Sequence, residues 1–213
     1  MHLAICTPAR DQVHTAFAFD LANLMGHFVS NHRGDQITPL VLEGTLIFDQ
    51  RQKLAQMALD AGADWMLWID SDMRFPCDAV DRMIGHGQPI IAANYSTRRL
   101  PLRPVAALDP AGKTYHHTVR GSQKLELVAH VGMGFMLTRR DVFETLPKPW
   151  FLMRVGDDIP GGLEGEDVYF CRKAAEFGFP TFVDDMVSQQ VRHIGAFEYS
   201  CEHANIAMPK QVA

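Results

Sequence analysis

The chain has 213 residues, is 47% hydrophobic and 21% charged, and carries a net charge of −5. That size and composition suit one globular domain with a substantial core. They exclude a chain basic over its whole surface, as general binding to nucleic acid or an anionic membrane requires. Four widely spaced cysteines, Cys6, Cys77, Cys171 and Cys201, form no C-x-x-C pair. This argues against a zinc site or a disulfide framework and for reduced thiols in a cytoplasm. The start lacks the basic and long apolar regions of a signal peptide, and no run approaches the length of a membrane span. The expected location is therefore cytoplasmic, without membrane contact.

Residues 3–6 are a short apolar run closed by Thr7-Pro8, which reads as a first buried strand ended by proline. A helix is expected over residues 12–28, where Phe17, Leu21, Leu24 and Phe28 recur at helical spacing. Between them lies Ala9-Arg10-Asp11, in the loop position that favours nucleotides in α/β sheets. Arg10 there suits a phosphate or base, and Asp11 a base or ribose; a helix cap for Asp11 and a solvated Arg10 fit equally well. A second strand is expected over residues 37–42. A helix over residues 49–61 follows, with Asp49 as its N-cap and Gly62 closing it.

The next stretch organises the rest. Trp65-Met66-Leu67-Trp68-Ile69 runs without a break into Asp70-Ser71-Asp72. Five apolar residues are too few for an ordinary helix and read as a fully buried strand. Ligands of open α/β sheets bind just beyond the carboxyl ends of the strands. Two carboxylates there form a hard oxygen site suited to Mg²⁺ or Mn²⁺, which takes its remaining ligands from water and phosphate. A solvated strand end followed by a turn is the structural alternative.

A short helix over residues 78–84 and a strand over residues 89–95 follow. The pattern then breaks into a loop-rich, mobile insert over residues 96–123, with Arg98, Arg99, Arg103, Lys113 and Arg120, and Lys124 just beyond it. It is either a solvated loop or a contact for an anionic acceptor. Residues 125–131 alternate as a strand, and Gly132-Met133-Gly134 brings backbone close to a neighbour or opens space for a sugar. A short helix over residues 140–146 stops at Pro147. Glycines then lead into Glu166-Asp167 at the start of a helix over residues 166–177. Acids there satisfy the helix dipole, and a carboxylate on a glycine-hinged helix start also suits a general base. A last strand is expected over residues 181–184. His193 lies between apolar residues, either structural or a further ligand for a divalent metal. This strand–helix rhythm predicts an α/β fold with a mostly parallel central sheet covered by helices.

In their order, several motifs together resemble glycosyltransferases of the GT-A fold, specifically the small single-domain type of phage and bacteria. They are Thr7-Pro8-Ala9-Arg10, Arg51, Trp68-Ile69-Asp70-Ser71-Asp72-Met73, Gly132-Met133-Gly134-Phe135-Met136, Gly165-Glu166-Asp167 and His193-Ile194-Gly195. The resemblance covers residues 3–195. It implies one domain, with a nucleotide-sugar half over residues 1–95, an acceptor and catalytic half over residues 96–195, and a tail over residues 196–213. It implies Mn²⁺ or Mg²⁺ on Asp72, with His193 completing the coordination and Asp70 either assisting the metal or holding the donor's ribose. Thr7, Pro8, Arg10, Asp11 and Arg51, with Ser71, Gly132 and Gly134, would hold a nucleoside-diphosphate sugar, most often UDP-linked. Asp167, with Glu166, would face the acceptor as base, and inversion is slightly favoured over retention. The acceptor is open, and the basic segment around Arg98–Arg103 motivates a modified base in phage DNA.

Three other readings compete. A haloacid-dehalogenase phosphatase also ends a strand in Asp-x-Asp, but Met73-Arg74-Phe75-Pro76 departs from its continuation. A sugar nucleotidyltransferase would need a glycine-rich, basic loop where Pro8-Ala9-Arg10-Asp11 stands. A non-catalytic nucleotide-sugar or nucleic-acid binding module conflicts with the acids, which repel a diphosphate unless metal is present.

Overall fold

The computed structural model describes residues 1–98, 101–157, 159–195 and 198–206. Arg99 and half of the expected tail lie outside them. In chain order the elements are β1 (His2–Ala9), α1 (Thr15–Asn31), β2 (Gln36–Glu43), α2 (Ile47–Asp60), β3 (Trp65–Ile69), β4 (Met73–Arg74), α3 (Ala79–Gly85) and β5 (Ile90–Ala92). Then come β6 (Leu125–Val128), β7 (Phe135–Arg139), α4 (Arg140–Thr145), β8 (Arg154–Val155), β9 (Leu163–Glu164) and α5 (Glu166–Glu176). The chain continues through β10 (Thr181–Asp184), α6 (Asp185–Ser188), β11 (Arg192–Ile194), β12 (Glu198–Tyr199) and α7 (Cys201–Ile206).

Seven strands form one sheet in the order β2-β1-β3-β7-β5-β10-β6. The sheet is mixed and, as expected, mostly parallel: β1, β2, β3, β5 and β10 run one way, and β7 and β6 run the other. β1 runs parallel to β2 and β3, and β5 parallel to β10. β7 enters antiparallel between β3 and β5, and β6 closes the edge antiparallel to β10. A strand's direction depends on which neighbours it meets, and no local pattern in residues 135–139 encodes that.

β3 is apolar throughout because both of its faces are covered. Met66 and Trp68 face a core built with α2, α4 and α5, whereas Leu67 and Ile69 face one built with α1 and α3. Trp68 is fully buried and packs edge-on to Phe151 at 5.4 Å between ring centroids. Its indole N–H donates to Thr138 Oγ1 at 2.9 Å, so its one polar atom is satisfied inside the sheet.

Several expected boundaries move. β1 runs on through Pro8, because beyond the Cys6–Trp68 pair it has only β2 as a neighbour, so a missing N–H costs no bond towards β3. Helix α1 starts at Thr15, three residues later than the periodicity suggested, and its N-cap is His14. Asp11 therefore does not cap it. Asp49 is likewise not a cap: α2 begins at Ile47, and Asp49 binds Lys53 one turn on. Gly62 does close α2 with φ +78°, as a C-terminal glycine should.

The basic insert is loop-rich but not a loose loop. Val105 N donates to the Tyr95 carbonyl at 3.0 Å, and Ala107 N to the His130 carbonyl at 2.8 Å. Thr118 is fully buried, and its hydroxyl and the His116 imidazole both meet the buried Asp185 carboxylate, at 3.0 and 2.7 Å. Asn94 ties the insert to β5 from inside, donating to His116 O and accepting from Ala106 N. Backbone polar groups that enter the interior must be paired, and here the pairing fixes the insert's path.

Replacing Trp68 with alanine removes the largest buried side chain at the junction of β3, α4 and α5. Unfolding in urea is expected to show a loss of about 3–5 kcal/mol, with the midpoint shifted and the slope retained.

Candidate functional site

The site begins at the end of β3. A parallel strand leaves its last residues beyond the sheet, and Asp70, Ser71 and Asp72 turn there before β4. β4 pairs antiparallel with β11, with His193 opposite Met73 and the Ile194 N–H donating to the Asp72 carbonyl at 2.7 Å. This pairing delivers His193 to Asp72. The His193 Nε2 lies 3.5 Å from Asp72 Oδ1. Its Nδ1 lies 3.2 Å from the Ser96 carbonyl oxygen, which only accepts, so Nδ1 carries the proton. In the neutral ring, Nε2 then presents a lone pair to a carboxylate oxygen.

That arrangement suits a divalent cation. A ligating histidine commonly donates its other nitrogen to a backbone carbonyl, which sets the tautomer. Across that short gap the pair needs a positive charge, which either a second ring proton shared with Asp72 or a divalent cation supplies. Asp72 and His193 are the two residues that would hold the divalent cation, with phosphate and water completing the shell. Among the described residues no group of three His, Cys, Asp or Glu side chains converges on one point. Asp70, expected either to assist the metal or to hold the donor's ribose, lines the first cavity with one carboxylate oxygen engaged by Arg51.

Asp70 Oδ1 accepts from Arg51 Nη2 at 2.9 Å, and Arg51 Nη1 donates to Glu166 Oε1 at 2.5 Å. Arg51 projects from α2, and its side chain is only 3% exposed. One guanidinium thus joins the end of β3 to the start of α5. Burial pushes the Glu166 carboxyl above its ordinary value, Arg51 opposes that, and neighbouring Asp167 and Asp70 add to it. Arg51 was expected to hold the nucleoside; its two terminal nitrogens are instead spent on these carboxylates. Glu166, paired in this way, is a brace rather than a free base. Asp167 beside it lines a cavity.

For Asp72, burial alone would raise the carboxyl. The facing His193 and Arg98 outweigh it and hold the group below its ordinary value. Arg98 Nη1 lies 2.7 Å from Asp72 Oδ2 and also donates to the Ile194 carbonyl at 2.9 Å.

Two cavities meet here. One, of about 540 Å³, is walled by Pro8, Arg10, Gln50, Asp70, Ser71 and Asp72. The other, of about 510 Å³, is walled by Tyr95, Arg103, Tyr115, His130, Gly132 and Asp167. Arg98 and His193 belong to both walls. Each volume is within the range of small-molecule sites. Of the expected donor residues, Pro8, Arg10, Asp70 and Ser71 come together in the first cavity. Thr7 is buried behind it with its hydroxyl unpartnered, and Asp11 stands exposed.

The glycine pair makes room for a side chain, and Gly132 also lines the second cavity. A Cβ on Gly134 would lie 2.5 Å from the Tyr95 hydroxyl oxygen, and one on Gly132 would lie 2.7 Å from it. The Gly134 N–H donates to that hydroxyl at 2.8 Å. Burial, with the charges of Asp70 and Asp167, raises the Tyr95 phenol well above its ordinary value, so it stays a neutral hydroxyl. Tyr95 was not singled out in the sequence, although a tyrosine ending an apolar run was a usable signal. Gln50 left no signal: it is buried and donates to the carbonyls of Ala9 and Leu42 at 2.7 and 2.6 Å, setting the floor of the first cavity. His130 was also missed; burial lowers its pKa, which keeps the imidazole neutral in the second cavity.

Replacing Arg51 with alanine leaves the shielded Glu166 and the partly exposed Asp70 without their cation, and a loss of about 3 kcal/mol is expected. Without Arg51 the Glu166 pKa rises further. A carboxyl raised in the folded state favours folding below its unfolded value and loses that contribution as pH climbs through the folded value. Urea midpoints should therefore show a larger deficit at pH 7 than at pH 4.

No protein-family model and no curated protein matches the chain. Among solved structures, A197 from STIV aligns with a TM-score of 0.64 over 95% of this chain and 92% of that one, at 18% identity. A Drosophila β-1,4-galactosyltransferase 7 mutant, solved in complex with manganese, UDP-Gal and xylobiose, aligns at 0.44 over 93% and 69%, at 14% identity. A glycosyltransferase involved in the glycosylation of the major capsid of PBCV-1 aligns at 0.36 over 70% and 69%, at 15% identity. No helix among the described residues is long and apolar enough to cross a membrane. At these identities the likeness is one of fold alone, and it is carried by the match to A197.

Proposed function

We propose that the chain is a metal-dependent glycosyltransferase that moves a sugar from a nucleoside-diphosphate sugar, with UDP as the carrier, to an acceptor hydroxyl. The observation that carries this reading is the pair of cavities meeting at Arg98 and His193, with Asp72 at the junction. A transfer between two substrates needs two sites that share a wall, with positive charge where the leaving group forms.

The first cavity is the donor site in this reading. Pro8 and Arg10 flank the nucleoside, in keeping with the family resemblance, while Ser71 and Asp72 turn towards the diphosphate. Arg51 holds Asp70 oriented at the cavity wall. A divalent ion on Asp72 and His193 would supply charge against the departing diphosphate. The second cavity is the acceptor site. Asp167 lies in its wall and takes the proton from the acceptor hydroxyl, on the side opposite the leaving group in an inverting transfer. Arg103 in the same wall favours an acceptor that carries phosphate, and a modified base in DNA is one such acceptor.

The test is nucleoside-diphosphate release from a panel of donor sugars with Mn²⁺, wild type against Asp72→Ala. Release from a UDP-sugar that falls at least about a hundredfold in the variant supports the reading. Metal-dependent UDP binding with no release from any donor, with or without saccharide and DNA acceptors, points instead to a binding module. Absence of both turnover and UDP binding refutes the proposal. With an acceptor in hand, Asp167→Asn is expected to lower kcat while leaving UDP affinity, read by calorimetry, near wild type.

A further inference from the structure

The Asp72 carboxylate is shared between two partners. Its Oδ2 is on the Arg98 guanidinium and its Oδ1 faces the His193 ring. The three side chains differ in freedom. His193 is 14% exposed and Asp72 21%, whereas Arg98 is 43% exposed and reaches the junction from the start of the insert. Arg98 is therefore the member with room to move, and it already lines the cavity where a diphosphate would lie. A guanidinium binds phosphate through the same planar fork that binds carboxylate.

A second cation placed on Asp72 while Arg98 remains there would meet a positive charge within a few ångströms, in a half-buried setting that screens it poorly. A diphosphate relieves this by offering Arg98 anionic oxygens of its own. Resting on the donor-site reading above, we propose that Arg98 is a positioning residue that holds Asp72 until a nucleoside diphosphate arrives. It then transfers to the phosphate, so that divalent ion and diphosphate enter the first cavity as a coupled pair. Both ligands favour the same displaced Arg98, so each raises the affinity of the other by the same factor.

The experiment is Mn²⁺ binding to the full chain, followed by the electron paramagnetic resonance signal of free Mn²⁺. Wild type, Arg98→Gln and Asp72→Asn are compared, each with and without UDP, after circular dichroism shows the variants folded. Wild type is expected to bind Mn²⁺ weakly alone and on the order of tenfold more tightly with UDP. Arg98→Gln is expected to bind Mn²⁺ alone on the order of tenfold more tightly than wild type, because the competing charge is gone. It should gain little from UDP. A merely structural role for Arg98 would not raise metal affinity. Equal affinity for Mn²⁺ alone in wild type and Arg98→Gln, with UDP coupling intact, overturns the inference and leaves the donor site standing. Absence of Mn²⁺ binding from wild type and Arg98→Gln even with UDP, or wild-type binding by Asp72→Asn, overturns the donor-site reading and the inference together.

Discussion

One buried guanidinium holds this molecule's candidate site together. Arg51 lies between Asp70 and Glu166, residues separated from it by 19 and 115 positions in the chain. Burying a charge is costly unless it is paired and hydrogen-bonded. Here one cation answers two carboxylates, so the position of each depends on the other. The end of β3, the face of α2 and the start of α5 are thereby locked into one geometry. Asp167, next to Glu166, inherits its place in the second cavity from that lock.

The rest of the site is built outward from this pairing by backbone. β7 runs antiparallel beside β3, so the turn before it reaches the end of that strand, and Asp70 N donates to the Gly134 carbonyl at 3.0 Å. Tyr95, just beyond β5, fills the space that the two glycines leave and receives the Gly134 N–H. Its ring meets His193 edge-on at 5.3 Å between centroids. The imidazole facing Asp72 is thus braced by a ring on one side and by the Ser96 carbonyl on the other. Preorganisation of this kind lets a site present charge without rearranging at the moment of reaction.

The insert over residues 96–124 divides its cations by position. Arg98 sits on Asp72, Arg103 lies over the Tyr115 ring at 5.7 Å in the second cavity, and Arg120 lines a different pocket with Arg192. Its interior is polar and satisfied, with Asp185 serving His116, Thr118 and Ser122 together. A segment whose composition suggested a solvated basic loop is therefore part of the wall between two cavities.

By itself the sequence determined what local pattern can encode. Five apolar residues covered on both faces could only be a central strand, and Trp65–Ile69 is that strand at both ends. Two acids at its carboxyl end had to lie at the ligand-binding edge of the sheet, and acids at the start of α5 had to lie at a helix N-terminus. These statements depend on periodicity and on the ends of elements, both of which are written over a few residues. The tertiary structure alone decided which of those acids is free and which is paired. It placed Arg51 between Asp70 and Glu166, gave Asp72 to Arg98 and His193, and turned the glycine pair towards Tyr95. It also reversed β7 within the sheet. Such choices follow from strand order, register and burial among residues far apart in the chain, and a charge or a glycine looks the same in sequence whichever distant partner it will meet.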